Sequence, residues 1–340
     1  MSGKDDTTEP VLTIQHLRTR IDTSRGVVHP VNDVSLTCRP GRTLAVVGES
    51  GSGKTMTFLS VLGLLPAGGS VESGTVTFLG KEIPTGDART VRALRGESIG
   101  MIFQDAMAGL NPAFTIGRQI GDIVRYHKKT SRAEARRQAI EVLGLVGIPH
   151  PEERVDYYPH QLSGGMRQRV MIAMGVVLRP RVLVADEPTT ALDVTVQAQI
   201  MELLDELRRE LGMSLVLITH DLGVVARYAE EVAVMYGGRI VEHGTVRQVL
   251  KRPAHPYTEA LLRSSPRPDA SAATLDPIPG HPPNLLEIPS GCGFHPRCHR
   301  YRERQDCVTT APPLRVLGEG RQLTACHHAE EMALEEASVR

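Results

Sequence analysis

The stretch Gly48-Glu49-Ser50-Gly51-Ser52-Gly53-Lys54-Thr55 lies between two apolar runs, TLAVV before it and TFLSVLGLL after it. No other feature of the chain restricts the fold as tightly. A strand that breaks into a glycine-rich turn and restarts as a helix aims several backbone N–H groups and a helix N-terminus at one point, which is an anion site. Gly48 through Thr55 matches GxxxxGK[ST] in the strand–turn–helix context that the motif requires. Gly48, Glu49, Ser50, Gly51, Ser52, Gly53, Lys54, Thr55 and Met56 are therefore expected to cradle a triphosphate. Lys54 would reach the β and γ phosphates, and the Thr55 hydroxyl would ligate Mg²⁺. A chance glycine turn would lack the matching strand, Lys, Thr and helix. By itself the loop specifies a nucleoside triphosphate and leaves kinases, GTPases and ATPases open.

Arg181 to Pro188 reads RVLVADEP, an apolar strand ending in two adjacent carboxylates. Buried acids must be paired or metal-bound, so two at the end of an apolar run are not two stray surface charges. Asp186 would hold Mg²⁺, and Glu187, facing the other way at the strand end, would polarise an attacking water. Arg42 to Val47 and Ser214 to Thr219 are likewise apolar throughout, as buried parallel strands are. Val194 to Leu211 predicts a helix, with Val196, Ile200, Leu203, Leu204, Leu207 and Leu211 on one face. Glu231 to Gly244 predicts a hairpin turning at Gly237 and Gly238. The chain changes character near residue 253, since 12 of its 23 prolines fall between Pro253 and Pro313. Basic and acidic residues number 39 each, so the basic excess of a general nucleic-acid binder is missing. No apolar run approaches the roughly 18 residues of a membrane span, and MSGKDDTTEP lacks the apolar region of a signal peptide. A cytoplasmic protein is expected.

Leu162 to Arg169 reads LSGGMRQR, in which Ser163 can cap a following helix while Gly164 and Gly165 leave its N-terminus bare, a second anion site. This segment resembles the signature motif of ATP-binding cassette (ABC) ATPases. The order of phosphate loop, Gln104, signature, Asp186-Glu187, Ala191-Leu192-Asp193 and His220 is the family's order, over roughly residues 11 to 250. The resemblance implies an α/β fold: a P-loop ABC cassette with a RecA-like core, an antiparallel β subdomain and a helical subdomain over 11–252, followed by a small loop-rich extension over 253–340. It implies that Gln104 touches Mg²⁺ and water, that Asp193 lies at a dimer seam, and that His220 contacts the γ-phosphate. Read alone, His220 at the end of an apolar strand would be a core histidine. Ser163, Gly164, Gly165 and Gln168 would contact ATP bound by the opposite subunit, so hydrolysis would need a head-to-tail dimer. One departure stands out. Ile21 occupies the place where related importers tend to have an aromatic residue on adenine, and His29 is a weak substitute.

VVGESGSGKT, FQDAMAGLNP with Ala106, His255-Pro256-Tyr257-Thr258 and PIPGHPP (277–283) resemble the ATP-binding subunits of peptide and nickel importers. Alongside GCGFHPRC, they resemble the C-terminal extension of oligopeptide and dipeptide importer ATPases. The resemblance implies an ATP-hydrolysing, energy-coupling subunit on the cytoplasmic membrane face. Its partners would be a second ATPase, two membrane permeases and an extracytoplasmic peptide-binding protein, with no nucleic acid. A nickel or other small-solute importer is the alternative, and a soluble non-transport ABC ATPase a more distant one. The extension carries Cys292, Cys298, Cys307 and Cys326 with five, eight and eighteen residues between them, and no CxxC knuckle. A [4Fe-4S] cluster, a structural zinc and reduced buried thiols all fit that spacing. The resemblance adds that some peptide importer ATPases carry such a cluster here. Six arginines (297, 300, 302, 304, 315, 321) against three acids would suit its negative charge, and His295, His299, His327 and His328 are alternative ligands. With few large apolar side chains, the extension is expected to need a ligand or a partner surface for order. The cysteine and nucleotide sites, placed in different domains, are expected to be independent. Cys38 is expected to be a core thiol.

Overall fold

A computed structural model of the chain describes residues 9–104, 109–190, 192–265, 276–301, 303–318 and 322–338. Ala106, Ala191, Arg302 and Arg321 lie outside the described residues. The strands in chain order are β1 (Leu12–Thr23), β2 (Gly26–Cys38), β3 (Thr43–Val47), β4 (Gly69–Phe78), β5 (Lys81–Ile83), β6 (Ile99–Ile102), β7 (Val182–Asp186), β8 (Ser214–Thr219), β9 (Glu231–Tyr236), β10 (Arg239–Thr245), β11 (Arg315–Val316) and β12 (Leu323–Thr324). Two compact units emerge. One takes in Arg39–Arg42 and Arg92–Leu217, the other Leu12–Cys38, Thr43–Val91 and Ile218–Arg340. No described helix is long and apolar enough to cross a membrane.

The first unit is mostly helical around the parallel pair β6 and β7, where Ile99 sits opposite Val182 and Ile102 opposite Ala185. All five residues of β7 are buried, which explains its unbroken apolar run. The helix Ile116–Lys128 starts where the Thr115 side chain accepts from the Arg118 N–H, and it buries Ile116, Ile120 and Val124 at four-residue spacing. Ser131 caps the next helix, Arg132–Leu145, in the same way through the Glu134 N–H. Their apolar faces pack on one another. The helix Val194–Leu211 has the predicted bounds and buries Ile200, Leu203, Leu204 and Leu207. Met201 joins that face, while Val196 and Leu211 at the two ends are only half-buried.

The second unit holds two sheets. In the antiparallel one, ordered β2-β1-β4-β5, Leu12 pairs with Cys38 on one side and Phe78 on the other. In the other sheet, β3 runs parallel to β9, with Val47 opposite Val234. The β9–β10 hairpin turns at Gly237 and Gly238, whose φ values of 53° and 82° are the left-handed pair that a two-residue turn needs. The C-terminal strands β12 and β11 extend this sheet beyond β10, with Glu242 opposite Thr324. Tyr236, Tyr257 and Phe294 meet ring against ring at centroid separations of 4.6, 5.2 and 5.3 Å. They join Val47, Val234, Tyr301 and Met332 in one core. Each such side chain contributes about 1.5–3 kcal/mol when fully buried. The extension thus packs onto the β9–β10 core, where composition predicts a lobe dependent on a ligand or partner. Its aromatic residues are few, but the fold stacks them on strand residues.

Candidate nucleotide site and cysteine pocket

In the second unit the phosphate loop follows β3 and opens the helix Lys54–Val61. Gly48 and Gly53 are required by space as well as by backbone angle. A Cβ would lie 2.2 Å from the Met235 carbonyl oxygen at Gly48 and 2.1 Å from the Pro30 carbonyl oxygen at Gly53. Gly53, at φ 105°, stands at the helix N-cap with no side chain over the helix end. Lys54 is buried, and its Nζ donates to the Gly48 and Glu49 carbonyls at 2.8 Å each. Those carbonyls hold the ammonium where phosphate oxygens could take their place. Ser52 is buried and its N–H donates to the Glu49 carbonyl at 3.2 Å; Gly51 and Ser50 are exposed, and Thr55 and Met56 half-buried. His29 and Ile21, on β2 and β1, are both half-buried, and Ile21 pairs with Val28. His29 Nε2 lies 3.2 Å from Glu72 Oε2, and Pro30 beside it is the residue that abuts Gly53. His220 is exposed just past β8, so the core-histidine alternative fails.

In the first unit, Asp186 is the buried last residue of β7 and Glu187 follows at φ 44°. That left-handed angle, costly for a Glu, turns the carboxylate off the line of the strand. Glu187 Oε2 accepts from Gln104 Nε2 and from Thr190 Oγ1, both at 2.9 Å. Two residues predicted to act together are thus in contact. Thr190, three residues on, is a partner that sequence reasoning missed. Ser163 caps the helix Gly164–Val176 by accepting from the Met166 N–H at 3.4 Å. Ser163 and Gly164 are exposed and Gly165 half-buried, a bare helix end as predicted. Gln168, expected to contact ATP in trans, is buried. Its spacing to Met171, Ile172 and Gly175, all buried, is the signal for that inner face. Asp193 is exposed and caps its own helix, accepting from the Val196 N–H at 2.9 Å.

Cys292, Cys298, Cys307 and Cys326 line one small cavity in the second unit, together with His255, Phe294 and Tyr301. All four are free thiols. Burial pushes Cys307 and Cys326 up to about 12 and raises Cys292 and Cys298, and neighbouring sulfurs in the pocket repel the thiolates of Cys292, Cys307 and Cys326. Among the described residues only Asp306, Cys307 and His328 bring three ligand atoms within 4.8 Å of one another, so no three of the four sulfurs do. The charge of Arg300 favours the Cys298 thiolate and that of Arg304 the Cys307 thiolate, while both, like Arg315, are paired with carboxylates. Arg300 binds Glu259 at 2.7 and 2.9 Å, Arg304 binds Glu331 at 2.9 Å, and Arg315 binds Glu330 at 2.6 Å. The histidines are engaged too: His295 with the Cys292 carbonyl, His299 with Glu259, His327 with the Thr310 carbonyl, and His328 with Asp306 and Glu331. Cys38 is a buried core thiol, pushed up to about 12 by burial.

The phosphate loop and the cysteine lobe are in direct contact. Arg297, beside Cys298, donates to the Glu49 carboxylate of the phosphate loop through Nη1 at 2.7 Å and Nη2 at 2.9 Å. The Tyr257 hydroxyl accepts from the Glu49 N–H at 2.8 Å. His255, buried and held well below the usual histidine range at about 3 by desolvation, accepts from the Tyr257 N–H through Nδ1 at 3.0 Å and so starts the helix that presents this tyrosine.

Comparison with known proteins agrees with this anatomy. Residues 31–190 match the ABC transporter family model, and residues 241–307 match that of the oligopeptide/dipeptide transporter C-terminal region. Among solved structures, the dimeric ATP-binding cassette MJ0796 in a post-hydrolysis state with ADP and phosphate aligns at a TM-score of 0.61 and 26% identity, covering 69% of this chain and 99% of that one. Clostridium perfringens cbiO1 aligns at 0.61 and 30%, covering 72% and 91%. Fold and site together define an ABC ATPase that binds and hydrolyses ATP. The chain is 48% identical over 324 residues to the oligopeptide transport ATP-binding protein OppD of Salmonella typhimurium, covering 95% of each. It is 50% identical over 291 residues to the dipeptide transport ATP-binding protein DppD of Bacillus subtilis, covering 85% of this chain and 87% of that protein. It belongs to the oligopeptide/dipeptide group of ABC transporter ATP-binding proteins.

Proposed function

We propose that the chain is the energy-coupling ATPase of an importer for dipeptides or oligopeptides, peripheral on the cytoplasmic face of the membrane. It would work with a second ATPase, two permeases and an extracytoplasmic peptide-binding protein. The observation that carries this reading is the near full-length similarity to peptide transport subunits, which includes the extension. The cassette spans 11–252 and the extension 253–340, although packing divides the chain differently.

In this reading the triphosphate displaces the Gly48 and Glu49 carbonyls from Lys54. The Thr55 hydroxyl, the Asp186 carboxylate and the Gln104 amide oxygen are hard donors that would hold Mg²⁺, which would supply positive charge to the phosphates. Glu187, steadied by Gln104 and Thr190, polarises the attacking water, and His220 contacts the γ-phosphate. Ser163, Gly164 and Gly165 present their helix end to the partner's ATP, and Asp193 lies at that seam. The four cysteines suit a [4Fe-4S] cluster better than zinc. A tetrahedral Zn–S distance of about 2.3 Å sets sulfurs about 3.8 Å apart, closer than the pocket holds any three of them. Cys292, Cys298, Cys307 and Cys326 would hold such a cluster, and its irons would supply the positive charge that four thiolates in an apolar pocket require.

Purification from membranes in mild detergent tests the assignment. Two integral permeases and a second ATPase should accompany the chain, and peptides should stimulate ATP turnover once the binding protein is added. Stimulation by nickel and not by peptides would replace the cargo, and recovery with ribosomes or DNA would overturn the class.

A further inference from the structure

A carboxylate is an odd group for a loop built to bind an anion. Glu49 is nonetheless the second residue of the phosphate loop, and it is held at three points. Its N–H donates to the Tyr257 hydroxyl at 2.8 Å, its carbonyl accepts from Lys54 Nζ at 2.8 Å, and its carboxylate takes both arms of Arg297 at 2.7 and 2.9 Å. The guanidinium is nearly buried, its side chain 6% exposed, and each arm has an acceptor. Nε donates to the Pro279 carbonyl at 2.8 Å, and the remaining Nη donors reach the Tyr236 hydroxyl at 3.4 Å and the Ile278 carbonyl at 3.5 Å. A planar five-donor fork satisfies this set and a lysine ammonium does not. The PIPG segment, which nucleotide chemistry does not otherwise explain, supplies two of those carbonyls. Arg297 itself lies between Pro296 and Cys298 in the cysteine lobe.

Building on the ATP-site reading above, we propose that Arg297 is a positioning residue for nucleotide binding. By neutralising Glu49 and holding it aside, it lets the phosphate loop accept a triphosphate, and it makes the order of the cysteine lobe a condition of ATP affinity. Removing one member of a buried ion pair leaves the other charge uncompensated, and here the survivor would be an anion beside the triphosphate site.

The test is a charge cycle on the full-length chain, with MgATP binding measured by calorimetry. Arg297→Gln should weaken MgATP binding by about tenfold or more, and added salt, which screens the Glu49 repulsion, should narrow the gap. Glu49→Gln, which removes the anion and leaves the guanidinium, should bind MgATP more tightly than wild type. The double variant Arg297→Gln/Glu49→Gln should return to within about threefold of wild type, because no uncompensated charge remains. A purely structural bridge gives the opposite pattern, with Glu49→Gln weakened like Arg297→Gln and the double variant no better than either. That pattern, or an Arg297→Gln affinity within twofold of wild type, overturns the proposal. Should Arg297→Gln fail to fold, the direction of the Glu49→Gln shift decides alone. Wild-type chain that binds no MgATP would instead strike the ATP-site reading.

Discussion

The phosphate loop and the cysteine pocket lie in the same compact unit and solve opposite problems. The loop is polar and pre-formed. Gly48 and Gly53 have no room for a side chain, Lys54 rests on the Gly48 and Glu49 carbonyl oxygens, and the helix end is open. Anion binding there exchanges one set of oxygens for another. The pocket is apolar, and burial and mutual repulsion keep its thiols protonated, with values reaching about 12. A metal occupant has to release those protons and offset the buried thiolate charge, so occupancy there is coupled to pH and to folding. An anion would enter the first site by exchange, whereas a metal would have to rebuild the second electrostatically. Arg297 and Tyr257 connect the two, and the difference can be sharpened or broken through them.

The largest effect is expected at the pocket. Cys298→Ser should remove most of the iron, about four per chain in anaerobically prepared wild type, as read by metal analysis and the loss of broad absorbance near 400 nm. Because Arg297 adjoins Cys298, the same variant should also weaken MgATP binding several-fold, contrary to the independence that a sequence-based domain boundary suggests. Unchanged MgATP affinity with the iron gone would separate the two sites, and stoichiometric zinc without iron in the wild type would replace the cluster.

A smaller effect is expected on the far side of the shared core. Glu242, fully buried on β10, accepts from the Ala254 N–H at 2.8 Å and from Gln322 Nε2 at 2.7 Å, and desolvation pushes it up to about 7. A carboxyl raised in the folded state keeps its proton between about 4.5 and about 7 while the unfolded chain has lost it, so it costs stability as pH rises through that window, on the order of 3 kcal/mol in full. His255, depressed to about 3, works the other way and costs stability as pH falls below about 6.5. The two slopes offset each other between about pH 6.5 and 4.5. Glu242→Gln keeps an oxygen for both donors and leaves His255 unopposed. Its thermal midpoint should therefore fall more steeply on acidification than that of the wild type, and a parallel pair of curves would refute the assignment.

What the sequence discloses follows from distance along the chain. The phosphate loop, the buried run of β7, the helix Val194–Leu211 and the Gly237-Gly238 turn are local patterns, and each is legible because neighbouring residues determine it. The left-handed Glu187 is local too, but propensity argues against it, and only the clamp of Gln104 and Thr190 explains it. Arg297 reaches Glu49 across 248 residues, and no periodicity announces such a pair. Charge counting cannot see that Glu259, Glu331 and Glu330 stand beside Arg300, Arg304 and Arg315. The burial of Gln168 is legible in its helix spacing to Met171, Ile172 and Gly175.

The proposed role of Glu187 in ATP hydrolysis is measured most directly by turnover and MgATP affinity of Glu187→Gln in the assembled transporter, beside Lys54→Ala. Glu187→Gln should bind MgATP like wild type and lose turnover by about 10² to 10⁴ fold, whereas Lys54→Ala should lose the binding itself. Near-normal turnover by Glu187→Gln would contradict the account.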